Sequence, residues 1–119
     1  MRLALLLGPL TLVAAAQAAQ AHAFLVKSDP PVGSVIAAKP AALRLEFSEA
    51  IELGFSGLDV SPASGGAISM NGVRFAESSH KVLIANLPML QPGVYRVKWH
   101  VVSVDTHRTE GEFTFTVKP

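Results

Sequence analysis

The chain has 119 residues, ten lysines and arginines against nine aspartates and glutamates, and no cysteine. That length allows one domain, and the near-even charge excludes the basic excess that nucleic acid or an anionic membrane surface demands of a partner. The missing thiols exclude disulfides, thiolate metal sites and thiol catalysis together.

Residues 1–21 are set apart. Met1-Arg2 carries a positive charge, Leu3 to Ala16 is an almost unbroken apolar run, and Ala19-Gln20-Ala21 is an A-x-A cleavage signature. Together these read as a secretory signal peptide. The run falls short of the about 20 apolar residues of a membrane-crossing helix, and no later segment approaches that length. The mature chain, residues 22–119, is therefore expected to be one soluble domain, not inserted in a membrane. Arg2 leaves with the leader, which brings the mature charge close to zero. With no disulfide available, such a domain must be held by its hydrophobic core.

His22 to Val26 is a short apolar run expected to form the first strand, and Asp29 to Ser34 is a turn rich in proline and glycine. Leu43 to Phe47 alternates, with Leu43, Leu45 and Phe47 on one side and Arg44 and Glu46 on the other, the period of a half-buried strand. Ser48-Glu49 closes it. Ile51 to Phe55 is ambiguous, and Phe55, Leu58 and Val60 suit a strand interrupted by glycines. Ser61 to Gly66 is a loop by composition. Asn71-Gly72, between Ile68/Met70 and Val73/Phe75, is the strongest hairpin signal in the chain. Lys81 to Asn86 is a β-branched run, and Leu87 to Gly93 is a proline-punctuated connection. Tyr95, Val97, Trp99 and Val101 then alternate with Arg96, Lys98 and His100, and Glu112 to Val117 alternates once more. No mature segment sustains a helical period. The expected fold is an all-β, antiparallel Greek-key sandwich of about seven strands.

The strand from Tyr95 runs out into Ser103, Asp105 and His107. In an extended segment residues i and i+2 face one side, so Asp105 and His107 are placed to meet a single ion. A third donor is available if the leader is cut after Ala21. His22 then has a free α-amine beside its own imidazole, a chelate possible only at a chain terminus. An α-amine has a pKa of about 7.7–8.0 and a histidine about 6.5, so both deprotonate readily near neutrality. Three nitrogens from His22 and His107, with an oxygen from Asp105, suit Cu(II), which also heads the affinity order of the divalent first-row metals. His80, in a Ser-Ser-His-Lys turn, and His100, on the polar face of its strand, read as ordinary surface histidines. Tyr95 and Trp99 read as core anchors, and Met70 and Met89 as packing residues.

His22-Ala23-x-Leu25, Ser28-x-Pro30-x-x-Gly33-Ser34, Phe47-Ser48-Glu49 and the long motif from Gly93 through Tyr95, Val97, Trp99, Val101, Ser103, Asp105 and His107 to Gly111 resemble the CopC family of periplasmic copper-resistance proteins. The resemblance runs from His22 nearly to the C-terminus. It implies an immunoglobulin-like or cupredoxin-like β-sandwich that carries or buffers Cu(II) in the periplasm. It also implies copper ligands at His22, Asp105 and His107, with Glu49 helping to place the terminal histidine. By the same analogy the partner is an inner-membrane copper transporter of the CopD type. The chain itself is expected to be a monomer. Relatives with methionine-rich loops bind Cu(I); only Met70 and Met89 remain in the mature chain here, and they are not clustered. A Cu(II)-only protein without enzymatic activity is therefore expected.

Two rival classes share some of these features. A copper monooxygenase also pairs an amine-terminal histidine with a second histidine on a β-sandwich, but it needs a broad substrate surface and an open coordination position. A metal-free immunoglobulin-like interaction module is the other. Oxygen-dependent polysaccharide cleavage would mark the first, and failure of the processed protein to take up copper the second.

Overall fold

Alternation between apolar and charged side chains gives strand β3, Ala42–Phe47, one dry face: Leu43, Leu45 and Phe47 are buried while Arg44 and Glu46 stay partly exposed. The same pattern recurs in β7, Gly93–Val102, through Tyr95, Val97 and Val101, and in β8, Arg108–Val117, through Phe113, Phe115 and Val117. Strands dry on one face must stack those faces against each other. The computed structural model, which describes residues 22–119 apart from 67, 69 and 70, shows how. One sheet has the order β1-β3-β6-β5 and the other β2-β8-β7-β4. The remaining strands are β1, Leu25–Asp29; β2, Val35–Ile36; β4, Gly57–Pro62; β5, Asn71–Phe75; and β6, Val82–Asn86. The core lies between the sheets.

Among the described residues, eight strands stand where about seven were expected. The extra one, β2, is a two-residue strand that runs parallel to β8, so the second sheet is not purely antiparallel. Two residues carry no readable period, which is why the sequence hides it. The first strand begins at Leu25 rather than His22, leaving His22 to Phe24 as an extended lead-in. The ambiguous stretch after Ile51 is no strand: Ile51 makes a single bridge to Ser103, and Leu53–Phe55 is one turn of 3-10 helix.

Asn71-Gly72 also behaves differently from expectation. Both residues open β5 beside β6, at a register shift between Asn71 and Arg74, with Gly72 at φ 67°. The left-handed backbone that would serve a hairpin turn serves a bulge instead. Met70 lies outside the described residues. Met89 is not a packing residue; it is 79% exposed in the connection between β6 and β7.

Trp99 packs edge-on to Phe47, ring centroids 5.2 Å apart, and ties the two sheets together. It also lies over Gly111 on β8, where a Cβ would come within 2.6 Å of the indole Cζ2. Tyr95 anchors the start of β7, its hydroxyl donating to the Gln91 carbonyl at 2.6 Å. Among the described residues no helix is long and apolar enough to cross a membrane.

Candidate metal centre

Strand β7 ends at Val102 and β8 begins at Arg108, so Ser103 to His107 is the turn that joins them. Three hydrogen bonds close it: Ser103 N–H to the His107 carbonyl at 2.8 Å, Thr106 N–H to the Ser103 carbonyl at 2.8 Å, and His107 N–H to Ser103 Oγ at 3.2 Å. Thr106 takes φ 75°, left-handed backbone that a β-branched residue rarely adopts. Asp105 and His107 do meet, with His107 Nδ1 3.3 Å from Asp105 Oδ1. They meet because the chain turns, and the extended i, i+2 geometry expected from the sequence is not what joins them.

The Ser103 hydroxyl donates to Asp105 Oδ1 from a side chain only 1% exposed. That hydrogen bond, more than any other influence, holds the Asp105 carboxyl below its ordinary value; His107 adds to the effect and partial desolvation opposes it. The carboxylate is thus kept ionised, with about half of its surface and of the His107 side chain open to solvent.

His22 arrives from the other end of the sequence. Phe24 N–H donates to Ser48 Oγ at 2.9 Å, Ser48 N–H donates back to the Phe24 carbonyl at 2.8 Å, and Ser48 Oγ lies 3.5 Å from the His22 carbonyl. Ala23 is fully buried, and its carbonyl accepts from Thr109 Oγ1 at 2.7 Å. The lead-in is therefore fastened to one sheet through the residue after β3 and to the other through β8. The His22 and His107 rings consequently sit with centroids 4.8 Å apart, tilted at 42°.

His22 faces His107, and His107 faces Asp105. Among the described residues, no three side chains of histidine, aspartate or glutamate form a group able to hold an ion by themselves. Glu49 is exposed, and among the described residues no hydrogen bond or ion pair joins it to His22. Ser48 and Thr109 hold the lead-in and Ser103 holds the turn, three roles that sequence reading missed. Only Ser103 carried a signal, its place two residues before Asp105 on the apolar side of the β7 alternation.

His80 and His100 lie elsewhere. His80, at φ 62°, stacks on Phe75 with centroids 4.2 Å apart, and the His100 ring covers Gly57, where a Cβ would come within 2.9 Å of it.

A family model described as the CopC domain matches residues 25–118. The chain belongs to the CopC family. Protein YobA of Escherichia coli K12 is 42% identical over 99 residues, covering 82% of this chain and 80% of that protein. Copper resistance protein C of Pseudomonas syringae pv. tomato is 41% identical over 106 residues, covering 84% and 83%. Copper transport protein CutJ of Bacillus subtilis is 32% identical over 98 residues, covering 82% of this chain but only 18% of that longer protein. Among solved structures, CopC from Methylosinus trichosporium OB3b superposes with a TM-score of 0.76 at 32% identity, covering 82% of this chain and 95% of that one. PcoC from Escherichia coli, described as a methionine-rich copper resistance protein, gives 0.74 at 34% identity, covering 82% and 100%. The expected family and the β-sandwich are both borne out, and the chain is a copper-binding protein of the CopC family.

Proposed function

We propose that this CopC-family chain is a Cu(II) carrier or buffer of the periplasm, exported by a leader spanning residues 1–21 and working as residues 22–119. The observation that carries the reading is the approach of the His22 and His107 rings to 4.8 Å, from opposite ends of the mature chain. In this reading His22 binds through its freed α-amine and imidazole, His107 through its imidazole and Asp105 through an oxygen. With His107 Nδ1 turned toward Asp105, Nε2 is the nitrogen left for the ion. Copper is the cargo. The open flank at Asp105 and His107 suits a site that must release what it binds, and the reading assigns no catalysis.

Glu49 enters as the acidic residue beside the Ser48 staple, with Glu49→Gln as its test: a weaker hold on His22 lowers copper affinity. An inner-membrane transporter of the CopD type is the proposed recipient. CutJ supports that choice, because a domain like this one makes up a fraction of a longer copper transport protein.

The test is Cu(II) titration of protein whose start at His22 has been verified by intact mass, beside a variant with one extra residue ahead of His22. The processed chain should bind far more tightly. Equal affinity would remove the terminus from the ligand set. Because the nitrogens must shed protons to bind, affinity should also fall steeply on acidification toward about pH 4.

A further inference from the structure

We propose that Ser103 is the positioning residue of the copper centre: its buried hydroxyl fixes the Asp105 carboxylate and the His107 backbone in the arrangement that receives the ion. The inference rests on the reading of Asp105 and His107 as ligands.

A hydroxyl taken out of water must find partners. Ser103 is 1% exposed, yet its partners belong to two half-exposed residues, Asp105 and His107. The hydroxyl has one proton to give. The His107 carbonyl is within reach at 3.2 Å but already accepts the Ser103 N–H at 2.8 Å. The proton therefore goes to Asp105 Oδ1, where a charged acceptor makes the stronger bond. The Oγ lone pairs accept the His107 N–H at 3.2 Å. One oxygen atom thus joins the side chain of one ligand to the main chain of the other.

The direct Asp105–His107 contact cannot do this alone. It spans 3.3 Å between side chains 45% and 51% exposed, and solvent-exposed pairs of that kind hold geometry weakly. Without the hydroxyl, Asp105 is free to turn into water. With it, Oδ1 is committed inward and Oδ2 is left for copper. Outer partners of this kind that orient a ligand are worth about 10- to 100-fold in metal affinity.

The test uses processed protein with Ser103→Thr and Ser103→Val, two side chains of the same shape of which only threonine keeps the hydroxyl. Cu(II) affinity by chelator competition, the Cu(II) EPR spectrum and the exchange rate of the His107 amide in metal-free protein are measured. Ser103→Thr should keep the wild-type affinity and spectrum. Ser103→Val should lose about 10- to 100-fold in affinity, shift the spectrum and speed His107 exchange. Ser56→Ala is the control: Ser56 Oγ accepts the Val102 N–H at 3.1 Å and donates to the Glu52 carbonyl at 2.8 Å, a staple at the same strand end that touches no ligand. It should bind copper like wild type. If the threonine and valine variants behave alike, or if Ser56→Ala loses as much as Ser103→Val, the inference fails while the ligand assignment stands. If wild-type protein takes up no copper, the ligand assignment fails and this inference falls with it.

Discussion

Asp105 couples the fold to acidity through one carboxyl. Its folded-state pKa lies below the ordinary value because the Ser103 hydroxyl and His107 favour the ionised form. A depressed carboxyl contributes stability that is fully present above the unfolded-state value of about 3.9 and is lost as pH falls through the lower, folded value. Metal-free protein should therefore weaken on that acid limb, and Asp105→Asn should flatten the limb. Urea denaturation at a series of pH values between about 2 and 6 checks it; an unchanged limb in Asp105→Asn would place the acid sensitivity elsewhere. Thr106 supplies a second test at this scale. Its φ of 75° costs an L-residue roughly 1–2 kcal/mol, while glycine carries more unfolded-state entropy but no such strain. Thr106→Gly should melt at or above the wild-type temperature, and Thr106→Pro, whose ring forbids positive φ, should melt well below it.

The elements were legible wherever one face is buried. Alternation marked β3, β7 and β8 because each has a continuous apolar row between the sheets. The same logic failed where backbone conformation decides the outcome. The turn from Ser103 to His107 contains no glycine, proline or asparagine, so it read as the continuation of a strand. Asn71-Gly72 announced a positive φ truthfully but not whether a hairpin or a bulge would use it. The β7–β8 pair also contains a constraint visible in sequence only as the spacing of Trp99 and Gly111. A methyl group at Gly111 would meet the indole at 2.6 Å, and the indole is already packed against Phe47. Gly111→Ala should destabilise by about 1–3 kcal/mol, the usual cost of overpacking. Trp99 is the sole tryptophan of the chain, so its fluorescence follows denaturant unfolding directly; stability equal to wild type would show that the ring moves aside freely.

At the scale of the whole molecule, the candidate site depends on joining two stretches far apart in the chain, and sequence could name His22, Asp105 and His107 without showing that they meet. The joint is made by two hydroxyls, Ser48 on one sheet's side and Thr109 on the other's. Thr109 is the more informative of the two, because it holds the carbonyl of the fully buried Ala23. Valine in its place keeps the shape and leaves that carbonyl without its partner, a loss of about 1–3 kcal/mol for a buried acceptor. The lead-in should then loosen ahead of β1, taking His22 from His107. Ligand binding to the native state alone stabilises it by about 2.7 kcal/mol at a concentration of one hundred times Kd. Weaker binding must therefore appear as a smaller thermal shift at fixed copper. Thr109→Val should show both effects together: a lower melting temperature without metal and a reduced rise on adding Cu(II). A lower melting temperature with the full copper-induced rise would mean that His22 reaches the Asp105–His107 turn without the Thr109 staple.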